Sequence, residues 1–245
     1  MNNHQLLSYE THGNCRVITD RSYTLGDGIM HAMIFATELR ASQAHYPIFF
    51  CKDNETGTFY PAALFGFEQG ENLYLENNTW SASYVPMIVE RHPFLIGFKS
   101  QDGAADANRA PVVSIDMDSP RVSRENGRRL FNDDGQPSEF LGQSVQLLDA
   151  VHRGHSDNKG FIEVLLRYDL LESCTMDIGL VDGTQRKLLG YYTINESKLR
   201  ELSGDILTLL HAGNYLERIY MVVASLSNMG TLIDKKNTRL QPDRH

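Results

Sequence analysis

Long apolar runs are missing from this 245-residue sequence. None approaches the roughly 18 uninterrupted apolar residues of a membrane span, so a helical permease or channel is excluded. Cysteine is scarce: Cys15, Cys51 and Cys174 stand far apart, match no C-x-x-C spacing, and leave one over after any pairing. That pattern reads as buried thiols rather than a disulfide framework or a thiolate metal site. The start, MNNHQLLSYETHGNCRVITD, lacks a basic region followed by an apolar stretch, so the expected location is the cytoplasm. Positive charge is not in excess either. With 23 Lys and Arg against 31 Asp and Glu, the formal charge of −8 is spread along the chain and argues against general affinity for nucleic acid or anionic lipid. The phosphate-cradling, dinucleotide-binding, nucleophile-elbow and zinc-protease signatures are all absent, and no cofactor is expected.

What is present is the composition of an ordinary folded protein, 41% hydrophobic and 22% charged. Turn residues punctuate it. A short strand over 16–23 ends at Gly26-Asp27-Gly28, and the spacing of Met30, Met33, Ile34, Ala41 and Ala44 predicts a helix from Ile29 to Ala44. Ile48 to Cys51 and Phe59 to Phe67 read as a hairpin across Asp53-Asn54-Glu55-Thr56-Gly57. Pro86 suits the first turn of a short helix from Tyr84 to Arg91. Strands follow at Phe94 to Phe98 and Val112 to Met117, on either side of a small, polar surface loop at 100–110. Helices are predicted over Glu139 to Val151 and Phe161 to Leu171, with a polar loop at 152–160 between them. A second hairpin joins Met176 to Val181 with Leu188 to Ile194. Asn195 caps a helix over 196–211, a second helix covers 216–233, and the basic tail after Asp234 is expected to fray.

The implied fold is α+β, with mixed or antiparallel sheet, packed helices and a C-terminal helical pair. The chain reads as a single domain over 1–245, with a junction near 118–138 if it divides into two subdomains. The order helix, apolar strand, acidic turn, strand occurs over 29–67 and again over 161–194, from duplication or from chance likeness of common patterns.

Two places could hold chemistry. His152-x-x-His155 with Asp157 is the nearest approach to a metal motif, but it lacks a further ligand and Gly154 favours a loop. The segment 71–94 is dense in amphipathic groups, and Asn72, Trp80, Tyr84, Arg91 and His92 are its candidate ligand-binding residues. The same groups also suit a core edge, with Trp80 and Phe94 inside, the Tyr84 hydroxyl satisfied locally, and Arg91 paired to Glu71 or Glu90.

That segment also carries a likeness. HYPIFF at 45–50, ALFGFEQGENLYL at 63–75, Trp80, YVPMIVERHPF at 84–94, RLFNDDGQPS at 129–138, LDAVHRGH and ASLSNMGTLI occur in the order found in the bacterial SapC family, which the chain resembles from about residue 15 to 233. Members usually have Arg-Tyr-Pro-Phe where this sequence has Arg91-His92-Pro93-Phe94. The resemblance implies a surface-layer connection by name, and relatives are encoded beside proteins similar to flavin-dependent halogenases, cupin-like oxygenases and TonB-dependent receptors. It transfers no catalytic residue. The expectation is a non-catalytic binding or accessory protein, acting with a halogenase-like or cupin-like partner enzyme on a peptide or small aromatic ligand. The alternatives are an enzyme with an unrecognised site near Asn72, Tyr84 and Arg91 or around His152 and His155, and a surface-layer structural protein. Oligomeric state is left open.

Overall fold

The computed structural model describes residues 3–98 and 111–241. The loop expected at 100–110 lies outside them. In chain order the strands are β1 (His4–Leu6), β2 (Arg16–Val17), β3 (His31–Met33), β4 (Ile48–Lys52), β5 (Phe59–Leu64), β6 (Leu75–Glu76), β7 (Thr79–Trp80), β8 (Phe94–Phe98), β9 (Pro111–Asp116), β10 (Val122–Ser123), β11 (Arg128–Arg129), β12 (Leu171–Gly179) and β13 (Gln185–Ile194). The helices are α1 (Tyr9–His12), α2 (Leu39–Ser42), α3 (Met87–Glu90), α4 (Glu139–Arg167), α5 (Glu196–Arg200), α6 (Gly204–Ala212), α7 (Tyr215–Ser225) and α8 (Asn228–Leu240). This is the α+β class, with antiparallel sheets and a C-terminal pair of helices, α7 and α8. No helix among the described residues is long and apolar enough to cross a membrane.

The chain forms two compact units, 1–27 with 87–153, and 28–86 with 154–245. Residues 118–138 lie wholly within the first. That unit holds two three-stranded antiparallel sheets, β1-β9-β8 and β10-β2-β11. The β8–β9 register sets Phe94 opposite Ile115, and both sink into a core with Cys15, Val17, Leu130, Phe131, Leu141 and Leu148. Each such large apolar side chain contributes about 1.5–3 kcal/mol by leaving water.

The second unit is built on an antiparallel sheet of order β12-β13-β4-β5-β3. β4 is central, which is why Ile48-Phe49-Phe50-Cys51 reads as an unbroken apolar run: all four are buried, on both faces. One face carries Phe50, whose ring centroid lies 6.2 Å from that of Phe161 in α4, while the Ile48 N–H donates to Ser225 Oγ in α7 at 3.0 Å. On the other face the register aligns Tyr191, Cys51 and Tyr60 across β13, β4 and β5.

Both hairpins and the strands at 94–98 and 112–117 form as expected. Five expectations change. The helix predicted over 29–44 begins instead as β3, because Ala32 pairs with Ala63, and helical turns start only at Ala36. There Glu38 accepts the Phe35 N–H at 2.8 Å. The strand over 16–23 shortens to β2. The polar loop at 152–160 is the middle of α4, an uninterrupted helix over a stretch free of proline. Gly154 belongs there because a Cβ would sit 2.4 Å from Cγ of Phe35. The tail does not fray at Asp234: α8 runs on to Leu240, with Lys236 buried and paired to Glu68 at 3.3 Å and Glu71 at 2.6 Å. The predicted helix over 196–211 divides into α5 and α6, with Ser203 extended between them. The two hairpins are neighbours in one sheet through the β13–β4 pairing. A helix precedes each, the short α2 before the first and α4 before the second, so the helix–hairpin order recurs along the chain.

Candidate functional site

The densest arrangement of charge in the first unit centres on Asp27. After β2 the chain makes a short turn over Tyr23–Leu25, and Gly26 adopts a left-handed φ of 88° that brings the chain back on itself. Asp27 thereby reaches the Ser22 N–H, 2.9 Å from Oδ2. Arg121, entering β10, has its side chain only 3% exposed. Its Nη2 donates to both Asp27 oxygens at 2.6 and 2.5 Å, and its Nη1 donates to the carbonyls of Ile18 at 3.1 Å and Asp20 at 2.8 Å. A buried charge needs this kind of full satisfaction, since its desolvation penalty is several kcal/mol per ion. Arg21 extends the network, with Nη1 3.3 Å from Asp27 Oδ1 and Nη2 donating to Glu90 at the end of α3.

Both arginines line a cavity of about 250 Å³. Arg21, Glu90, His92, Arg121 and Arg128 line it, together with the apolar Val17, Phe94, Phe140 and Leu147. Arg128 projects from β11 with its guanidinium 5.0 Å from the ring centroid of Phe140. His92 is exposed by surface area, yet the groups crowded around its ring push its pKa down to about 4. Desolvation is the larger cause, and repulsion from Arg91 and Arg121 adds to it. Arg91 donates from Nη1 to the Phe94 carbonyl at 2.8 Å, and its buried Nε has no partner among the described residues. Its expected carboxylate partners are engaged elsewhere: Glu90 holds Arg21, and Glu71 holds Lys236.

The other candidate ligand residues lie in the second unit, inside an aromatic cluster. Tyr46 is wholly buried, with ring centroids 4.8 Å from Tyr74 and 5.1 Å from Phe65. Trp80 donates from Nε1 to the Tyr46 oxygen at 2.7 Å, and Tyr46 donates to the Tyr84 carbonyl. Tyr84 donates to Glu38 Oε1 at 2.6 Å, a partner 46 residues away rather than a local one. Burial, then the Glu38 charge, push the Tyr84 hydroxyl far above the ordinary phenol range. Asn72, fully buried, accepts the Tyr74 N–H at 3.0 Å. Segment 71–94 therefore supplies both units: Asn72, Trp80 and Tyr84 to the second, Arg91 and His92 to the first.

His152, His155 and Asp157 all lie on α4. A three-residue step places two imidazoles on neighbouring positions of a helix, but Asp157, two beyond His155, points elsewhere. The His155 ring meets the edge of Phe35, with centroids 5.0 Å apart. Among the described residues no group of three or more His, Cys, Asp or Glu could hold a metal ion.

The residues that reading the sequence passed over are Arg21, Asp27, Arg121 and Arg128. Gly26-Asp27-Gly28 did carry a signal: a carboxylate between two glycines is presented by a bend. Its arginine partner stands 94 residues further on, beyond the reach of local pattern.

Fold and site together define an α+β protein with a cation-lined, half-apolar cavity in one of its two units. The family model for SapC matches residues 7–232, and the chain belongs to the SapC family. No curated protein and no solved structure matches it.

Proposed function

We propose that this is a non-catalytic binding protein whose ligand occupies the cavity beside the Arg121–Asp27 pair. The observation that carries the reading is the mixed lining, in which arginines held in place by carboxylates and carbonyls share one cavity with Phe94, Phe140 and Leu147. A few fixed polar groups in an apolar cleft are what recognition sites share. Ser144, which with Thr19 supplies the hydroxyls of that lining, donates to the Phe140 carbonyl at 2.9 Å within its own helix, which suits holding better than chemistry. The resemblance extends the reading to an accessory role in the cytoplasm, presenting a peptide or small molecule to a halogenase-like or cupin-like enzyme.

A ligand-detected NMR screen of a fragment library against the full chain tests the binding half. Fragments are expected to bind and to be lost in Gln143→Trp, which fills the cavity from its exposed rim. Fragments indifferent to that substitution, or turnover of one by the purified chain, overturn the reading. Capture from the native organism at low salt tests the accessory half, with a halogenase-like or cupin-like enzyme as the expected companion.

A further inference from the structure

We infer that the cavity of the first unit takes a small organic monoanion, a carboxylate carried on an apolar body. This rests on the binding reading above and adds the ligand's charge to it. Charge balance in the wall decides. Three arginines line the cavity, Arg21, Arg121 and Arg128. Arg121 is matched by the bidentate Asp27 carboxylate, and Arg21 by Glu90. Arg128 has no carboxylate partner among the described residues, and its guanidinium rests on the face of Phe140. Two carboxylates against three guanidiniums leave one positive charge, and His92, neutral near pH 7, adds none.

A single carboxylate balances that charge and suits the planar fork of Arg128. A phosphate monoester near −2 would exceed that single charge by one and offer nothing to the apolar lining, and a cation would meet net repulsion. Size narrows the class further. At about 250 Å³ the cavity lies just below the range of about 300–1,000 Å³ usual for ligand pockets, which favours one ring or a short branched chain over a nucleotide. Phe94, Phe140 and Leu147 then cover the apolar body while Arg128 holds the carboxylate.

Titrations of the full chain by heteronuclear NMR with phenylacetate, phenylacetamide and inorganic phosphate test this. Phenylacetate is expected to shift amides around Arg121, Arg128 and Phe140 and to bind at least tenfold more tightly than its neutral amide. Arg128→Gln should erase that preference and Arg128→Lys should keep part of it. Both change an exposed side chain, and an unchanged spectrum of the free protein shows that the fold is kept. Equal binding of phenylacetate and phenylacetamide overturns the inference and leaves the binding reading intact. Phosphate binding as tight as phenylacetate overturns it also, since the apolar wall would then go unread. If neither these probes nor any library fragment binds, the binding reading itself falls.

Discussion

Arg121 and Asp27 leave water together, each with its side chain 3% exposed, and that shared burial makes them the most sensitive pair in the first unit. Asp27→Ala strands the buried Arg121 charge and should cost about 3–5 kcal/mol, whereas replacing both with apolar residues of similar size should cost much less. Urea midpoints of the single and double variants check the contrast. His92 gives the unit a pH dependence of defined sign. Its folded pKa near 4 lies below the roughly 6.5 of an unfolded chain, so the unfolded state binds more protons between those values. The stability it contributes is complete above about pH 6.5 and is lost as pH falls toward 4. Partial exposure of the ring moderates the size of this effect through solvent screening. The wild-type urea midpoint should therefore fall further between pH 7 and pH 4.5 than that of His92→Gln. The thiols are legible in the same terms: burial pushes Cys51 up to about 11, and Cys15 and Cys51 are both closed to solvent. Alkylation of the native protein at pH 8, read by mass spectrometry, should reach half-buried Cys174 first and Cys51 last.

At the scale of elements, α4 shows what a single sequence discloses and what it hides. Its two ends were legible, because Phe161, Val164, Leu165 and Tyr168 recur at helical spacing and 139–151 follows a dense turn cluster. Its middle was not, because glycine and polar residues at 152–160 look like a loop until Phe35 is known to fill the space above Gly154. Gly154→Ala gains up to about 1 kcal/mol in helix propensity but drives a methyl group into that ring, an overpacking cost of about 1–3 kcal/mol. A net fall in thermal midpoint is expected. Asn158, four residues on, is the larger omission. Its Oδ1 accepts the Ala36 N–H at 2.7 Å and its Nδ2 donates to the Ile34 carbonyl at 2.9 Å, closing the stretch where a helix had been predicted. Asn158→Ala leaves both backbone groups buried without that partner, and about 2–6 kcal/mol should be lost, on about 1–3 kcal/mol for each group. The hairpins, by contrast, were readable because each turn is local: Asp53 Oδ1 accepts from the backbone of Glu55 and Thr56, and Asp182 accepts from Thr184 in the same way. The candidate site was readable only at His92, since the arginines around it reach the cavity through contacts remote in sequence.

On the scale of the whole molecule, the chain passes between its two compact units at 27/28, 86/87 and 153/154, so neither unit is continuous in sequence. A discontinuous unit gives no compositional boundary, and local turn density near 118–138 marks a bend within one core rather than a seam between two. Each unit has its own core, around Phe94 and Ile115 in the first and around Phe49, Phe50 and Phe161 in the second. Units with separate cores open with separate free energies, and hydrogen exchange resolves them. Asp27→Ala should accelerate exchange over 4–27, 87–98 and 111–153 while residues 28–86 and 154–240 keep their protection, and Asn158→Ala should do the reverse. Acceleration spread evenly over the chain by either substitution would mean that the two cores unfold as one.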